Sequence, residues 1–347
     1  MAGYVDVGPE IMGHAEQIVK NTIGTKTKLK GFEWSDGGGL FTKVFKLDTT
    51  DGCYILKIER DKIFFATRKD QIENEVLGNQ IFQKAGISCA NILAYDLTKN
   101  DIGAKYVFTE HINNDMEDWP LWGKTEDLDD ATKTEITRQF TEAMLKMRAM
   151  TNTHFGSLSQ FGALGWHETY DGYYRSTLNL LIEDSEHCGV FTNEELDIVK
   201  EAAEKPLAYS KKYIPTFVHG DFGYHNTIWG NIGGGENRVY VYDFGNAYYG
   251  LPYLEEMINK IHGKDVDMVA DMDLDRHLYE NSLIYDFEKM FWAVTERLTE
   301  DYTYGRDWMI AHIEAAKKDT SRTHITDFVD SCRKVLNGLE GGRGHSI

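Results

Sequence analysis

The sequence predicts an α+β chain of two lobes, a small antiparallel sheet with one principal helix followed by a mostly helical remainder. Three observations predict it. With 347 residues, 41% of them hydrophobic, the chain can bury a sizeable core, and its length suits about two domains. Short apolar runs punctuated by glycine turns fill much of the first 110 residues. Beyond them, apolar residues recur at spacings of three and four. The expected division is a lobe at 1–110 and a second at 111–347.

Charge and cysteine usage narrow the class. The formal net charge of −19 argues against a nucleic-acid surface, which needs clustered Lys and Arg. It suits cationic small molecules, though it first of all favours solubility. Cys53, Cys89, Cys188 and Cys332 lie far apart without metal-binding spacing, which suits a reduced, cytoplasmic protein. No secretory apolar region and no run long enough for a bilayer is present, so no membrane partner is expected. No internal repeat is visible, and the tail from Gly338 to Ile347 reads as frayed. Monomer and homodimer both stay open.

Taken in order, Gly13 to Gly24 reads as a short helix through Ile18, Val19 and Ile23. Phe32 to Leu47 reads as a hairpin around Gly37, Gly38 and Gly39, with Asp51-Gly52 as the next turn. The strand Cys53-Tyr-Ile-Leu-Lys-Ile58 puts Tyr54, Leu56 and Ile58 on one face and Ile55 with Lys57 on the other. A helix over Arg68 to Lys84 places Ile72, Val76 and Gln80 to Phe82 on neighbouring turns, and Gly86 ends it. Its Glu73 and Glu75 point to different faces, so only one can serve a given partner. Lys105 to Glu110 is a further strand, followed by His111.

The composition then shifts. Asp115 to Trp122 is acidic and aromatic, and Asp127 to Met150 is a helix with Leu145, Met147 and Met150 toward the core. A glycine-punctuated loop runs from Thr153 to Trp166. A helix over Tyr170 to Ile182 carries Tyr170, Tyr173 and Tyr174, which either line a substrate cleft or pack, with packing the favoured reading. Thr192 to Tyr209 forms another, with Thr192 and Glu195 as a capping box. Near the end, Ile284, Phe287, Phe291, Val294 and Leu298 mark an amphipathic helix, followed by two at 308–316 and 325–336. The acidic run Asp265 to Asp275 lacks the glycine and terminal glutamate of a calcium loop and reads as a solvated face, with a cation-attracting pocket wall as the alternative.

The chemistry concentrates at Thr216 to Ala247. Two short strands end in acidic turns, His219-Gly220-Asp221 and Asp243-Phe244-Gly245. Asn226 opens a third strand between them. These side-chain oxygens can converge on one point. Phosphoryl transfer needs chiefly positioning and charge neutralisation. One carboxylate must accept a hydroxyl proton, while one carboxylate and one amide oxygen suffice for Mg²⁺ that also keeps phosphate and water. Asp221, then Asn226 five residues on, then a later Asp-Phe-Gly has the spacing of a kinase catalytic loop and metal loop.

This arrangement resembles the aminoglycoside phosphotransferase family of small-molecule kinases, which writes the loop with His-Gly-Asp. The run from Val218 through Asn226 looks most like its hygromycin phosphotransferase branch. The resemblance implies a protein-kinase-like fold, ATP and Mg²⁺ as cofactors, and a small-molecule hydroxyl acceptor. It implies Asp221 as catalytic base and Asn226 with Asp243 as metal ligands. Lys57 stands where the family binds phosphates, Glu75 where it orients that lysine, and Ile55 where it covers adenine. The Thr109 carbonyl and His111 amide take the place of its hinge contacts, and Glu255 or Glu256 that of an acidic prop for the catalytic loop. The C-terminal helices are where it builds the acceptor pocket. Two departures stand out. The glycine loop is irregular, and the histidine many relatives carry two residues after the aspartate is here Gly223, with His225 four after it. An aminoglycoside-type acceptor is expected. A metabolic kinase for a sugar, choline-like or amino-acid-derived alcohol is the alternative, and a nucleotide-binding pseudokinase the third reading.

Overall fold

The computed structural model describes residues 9–34, 42–59, 70–113, 128–188 and 214–251, with single positions at 193, 196, 197 and 200. The glycine cluster at 37–39, the Thr192–Glu195 capping box, Glu255 and Glu256, the acidic run and the last three expected helices lie outside the described residues.

Helix α1 (Pro9–Thr22) begins four residues before the apolar pattern that announces it. It is followed by β1 (Leu29–Trp34), β2 (Thr42–Thr49) and β3 (Cys53–Glu59). Helix α2 (Gln71–Lys84), β4 (Ile92–Asp96) and β5 (Tyr106–Glu110) complete the sheet region. The five strands form one antiparallel sheet in the order β1-β2-β3-β5-β4. Its alternation divides two jobs. Leu56 and Ile58 of β3 join Phe45, Leu47, Tyr106 and Phe108 under Ala15, Ile18 and Val19 of α1. Each such burial contributes about 1.5–3 kcal/mol. On the opposite face Lys57 stands in register between Val44 and Val107, and Val107 packs on Ile72 and Val76 of α2.

Helix α3 (Asp130–Ala149) is capped by Asp129, whose carboxylate accepts from the Thr132 amide at 2.9 Å. It buries Ile136, Ala143, Met144 and Met147. The expected core role of Leu145 is overturned, since that residue is 51% exposed. One position is about 100° around a helix, so Met144 faces inward in its place. Strands β6 (Phe155–Ser157) and β7 (Trp166–His167) precede helix α4 (Tyr170–Cys188), whose Tyr170, Tyr173 and Tyr174 are buried, as the packing reading expects.

Strand β8 (Thr216–Val218) leads into the first acidic turn. Strands β9 (Thr227–Gly230) and β10 (Arg238–Val241) form a hairpin, closed by Gly233 and Gly234 at positive φ. Strand β11 (Tyr248–Gly250) pairs on one side with β6 and on the other with β8. Strand β8 thus belongs to a different sheet from the β9–β10 hairpin, and turns bring the acidic ends together.

The chain divides into two compact units. One comprises Met1–Ile63, Arg68–Trp166 and Ile214–Glu255, the other Phe64–Thr67, His167–Tyr213 and Glu256–Ile347. The first contains the five-stranded sheet, α2, α3 and both acidic turns. The second, among the described residues, consists chiefly of α4. Residue 110, the expected lobe boundary, is the last of β5 and lies within the first unit.

Candidate active site

The site is assembled on one face of α2. Residues 71, 75, 78 and 82 lie one above another at helical spacing, and all four are buried. Gln71 donates from Nε2 to Asn246 Oδ1 at 3.1 Å. Phe82 packs edge-on against Phe244, with centroids 4.7 Å apart. Gly78 sits between them. A Cβ there would lie 2.7 Å from Phe244 Cβ, so only glycine lets helix and turn approach this closely. Asn74 adds a bond from Nδ2 to the Gly245 carbonyl at 3.0 Å. The Asp-Phe-Gly turn is therefore clamped along one stripe of one helix.

Glu75 is the residue of that stripe that reaches β3. Its Oε1 accepts from Lys57 Nζ at 2.7 Å, and the Phe244 amide also donates to it. Glu75, rather than Glu73, is the partner of the lysine. Lys57 makes a second contact, 3.2 Å to Asp243 Oδ1. Burial opposes the charge on Lys57, but the pull of Glu75 and Asp243 outweighs it and raises its pKa. Burial likewise pushes the Glu75 carboxyl up against the pull of the lysine. A 2.7 Å contact between nearly buried groups is that of an ion pair, and the ammonium stays charged.

The first acidic turn faces the second. Gly220 takes φ +82°, and a Cβ there would lie 2.5 Å from the Asn246 carbonyl oxygen. His219 is fully buried, and its Nε2 donates to the Tyr242 carbonyl at 3.0 Å. Burial pulls its pKa down to about 4, against the opposing pull of Asp221 and Asp243, so the ring is neutral. Asp221 carries two donors. Asn226 Nδ2 lies 2.9 Å from Oδ2, and His225 Nε2 lies 3.0 Å from Oδ1. Asp243 has φ +67°, one of two non-glycine residues at positive φ among those described. Such conformations concentrate at functional sites.

Asn226 and Asp243 are suited to a magnesium ion. The Asn226 amide nitrogen is committed to Asp221, which leaves its carbonyl oxygen as the atom a metal takes. The Tyr242 amide donates to the Asn226 backbone carbonyl at 3.2 Å, leaving the side-chain oxygen free of that bond, and so brings the next residue, Asp243, beside Asn226. A carboxylate and an amide oxygen are hard donors of the kind Mg²⁺ accepts while keeping phosphate and water. Among the described residues no group of three or more His, Cys, Asp or Glu could hold a metal by itself.

Ile55 shares the Lys57 face of β3 and pairs with Thr109 of β5. The His111 amide, just past β5, makes a long 3.3 Å bond to the Cys53 carbonyl. Asn113 then exchanges two 2.8 Å backbone bonds with Asn231, which ties this segment to the β9–β10 turn. Sequence reasoning missed Gln71, Asn74 and Gly78. Their signal is a polar and glycine stripe inside an otherwise apolar helix pattern. It also left His225 without its partner, though a spacing of four from Asp221 places the two across one turn.

A family model described as the phosphotransferase enzyme family matches residues 36–255. No curated protein matches the chain. Among solved structures, a thermostable mutant of aminoglycoside phosphotransferase APH(4)-Ia, in ternary complex with AMP-PNP and hygromycin B, has a TM-score of 0.55 at 14% identity. That match covers 91% of this chain and 98% of the other. The GDP and kanamycin complex of APH(2")-IIia has a TM-score of 0.52 at 14% identity, over 89% and 99% of the two chains. A Haemophilus somnus protein provisionally called a fructosamine-3-kinase has a TM-score of 0.50 at 12% identity, over 93% and 96%. At these identities the solved structures speak for the kinase-like fold.

Proposed function

This chain belongs to the phosphotransferase enzyme family and is an ATP-dependent phosphotransferase acting on hydroxyl groups, and on that premise we propose that its acceptor is a small, polar, cationic molecule of the aminoglycoside type. One observation carries the assignment of roles. A nearly buried Lys57–Glu75 pair touches Asp243, while the strand pairing beside Asp243 brings Asn226 and, through it, Asp221.

In this reading Lys57, held by Glu75, binds the α- and β-phosphates. Ile55 covers the adenine, and the Thr109 carbonyl and His111 amide take its polar edge, the latter exchanging its long bond to Cys53. Asn226 and Asp243 hold Mg²⁺, which neutralises phosphate charge when bound. Asp221 accepts the proton of the acceptor hydroxyl as that oxygen bonds the γ-phosphorus. The bond from that phosphorus to the bridging oxygen breaks, and its electron pair leaves with ADP. The nucleotide lobe is 1–110 and the catalytic and acceptor lobe 111–347. Among the described residues no helix is long and apolar enough to cross a membrane.

The net charge of −19 and two fold neighbours with hygromycin B and kanamycin in their complexes support a cationic acceptor. The fructosamine-3-kinase neighbour favours a second reading, a glycated-amine or sugar alcohol. A phosphotransfer panel of aminoglycosides, sugars and choline-like alcohols, with phosphate placement read by NMR, separates the two. Transfer to the metabolic alcohols alone overturns the first. Asp221→Ala is expected to abolish turnover while calorimetry still records ATP binding; full turnover refutes the role of Asp221.

A further inference from the structure

The carboxylate of Asp221 is held at both oxygens, and the second holder is unexpected. Asn226 takes Oδ2 at 2.9 Å, while His225 takes Oδ1 from Nε2 at 3.0 Å. A carboxylate of this kind only accepts, so Nε2 carries the hydrogen. We propose that His225 is the positioning residue of Asp221, the second donor that fixes the plane of its carboxylate. The inference rests on the phosphotransfer reading and deepens it.

The physical reason is torsional. The terminal torsion of an aspartate is broad and roughly two-fold, so one hydrogen bond leaves the plane free to turn about that bond. Two donors, one per oxygen, stop the rotation. Asp221 has 37% of its side chain exposed, so its carboxylate faces a space an acceptor hydroxyl can enter. The lone pair that takes the acceptor proton is aimed only if the plane is set. His225 is itself anchored for this task. It lies in a short 3₁₀ turn, Tyr224–Asn226, and its carbonyl accepts from the Tyr242 hydroxyl, one residue before Asp243. That bond uses backbone, so a substitution at 225 can keep it. The role needs one N–H at the reach of Nε2 and no charge. Glutamine supplies that donor and leucine does not.

Wild type, His225→Gln, His225→Leu and Asp221→Asn are compared in Mg·ATP turnover with hygromycin B, and with water alone as acceptor. His225→Leu is expected to lower kcat about 10–100-fold with KM for ATP moving less than about twofold, while His225→Gln stays within about threefold of wild type. An unchanged kcat in His225→Leu, equal losses in both variants, or a loss that appears in KM overturns the proposal. If Asp221→Asn keeps the wild-type rate, the phosphotransfer role of Asp221 fails as well. If Asp221→Asn is inactive and His225→Leu is not, the role of His225 alone falls. A measurement without turnover reads the ring directly. Long-range ¹H–¹⁵N correlation on histidine-labelled protein is expected to show the Nε2–H form at residue 225, with a resonance that moves in Asp221→Asn. An Nδ1–H form, or an unmoved resonance, overturns the proposal.

Discussion

Helices α2 and α3 belong to the same compact unit and bury opposite kinds of residue. Helix α3 buries Ile136, Ala143, Met144 and Met147 and keeps its charges outside, where Arg138 bridges Glu135 and Glu142. Helix α2 buries Gln71, Glu75, Gly78 and Asn79 beside Ile72, Val76 and Phe82. A buried polar group costs free energy unless it is paired. Gln71 and Glu75 are paired with the Asp-Phe-Gly turn and the lysine of β3, and Asn79 donates from Nδ2 to the Ala90 carbonyl at 2.8 Å. One helix is scaffold; the other spends its buried surface on holding a site. Substitutions on the two should therefore separate turnover from stability.

The largest expected effect tests α2. Glu75→Gln removes the charge that orients Lys57 while keeping shape, and turnover is expected to fall about a hundredfold or more, since the lysine–glutamate pair must be in place for transfer. Steady-state kinetics at saturating ATP checks it, and a rate near wild type would reduce Glu75 to a packing residue. Next comes α3. Met144→Ala is expected to cost about 2–5 kcal/mol of stability, as core methionine truncations do, with kcat per folded molecule unchanged. Urea unfolding beside active-site titration decides it. A kcat loss in the folded fraction would mean that α3 also shapes the site.

These contrasts were unevenly legible in the sequence. The β3 strand, Lys57 and the triplet Asp221, Asn226 and Asp243 lie in short motifs whose spacing carries their meaning, and the structure brings all four side chains to one region. The choice between Glu73 and Glu75 needed the rotation of α2 against β3. The stripe of Gln71, Asn74 and Gly78 shows in the sequence but not its purpose, because the partners Asn246, Gly245 and Phe244 lie some 170 residues further along. In α3 the apolar pattern placed Met147 in the core correctly and Leu145 wrongly, because Leu145 and Met144 are equally apolar and only packing distinguishes them. The left-handed backbone of Asp243 is set by the turn and the clamp on it, which no local pattern announces.

The polar stripe of α2 continues into His219, whose ring centroid lies 6.3 Å from that of Phe82 and 5.1 Å from that of Phe244. Its pKa, about 4 in the fold, lies near 6.5 in the unfolded chain. Between those values the unfolded chain binds the extra proton, so stability is lost as pH falls from 6.5 toward 4, by about 3 kcal/mol at the lower end. His219→Gln keeps a donor for the Tyr242 carbonyl and removes the titration. Its unfolding midpoint is expected to vary less with pH over that window than that of the wild type. Parallel pH profiles would show that the acid sensitivity arises elsewhere and would uncouple His219 from the α2 face.

The smallest effect comes from two opposed contributions at Gly78. Alanine in a helix interior is favoured over glycine by about 1 kcal/mol, and on a solvated face of α3 that gain would stand alone. At Gly78 the new methyl would sit 2.7 Å from Phe244 Cβ and 3.0 Å from Cγ. Those atoms adjoin the backbone, and the Phe244 ring is hemmed in by Phe82 and His219, so neither can swing aside. Overpacking of this kind costs about 1–3 kcal/mol, which outweighs the helix gain by a modest margin. Gly78→Ala is therefore expected to lower the unfolding midpoint slightly and to lower turnover with it, because the residue pushed is the neighbour of Asp243. A raised midpoint with full activity would show that α2 touches the turn loosely, and the distinction between the two helices would rest on Glu75 alone.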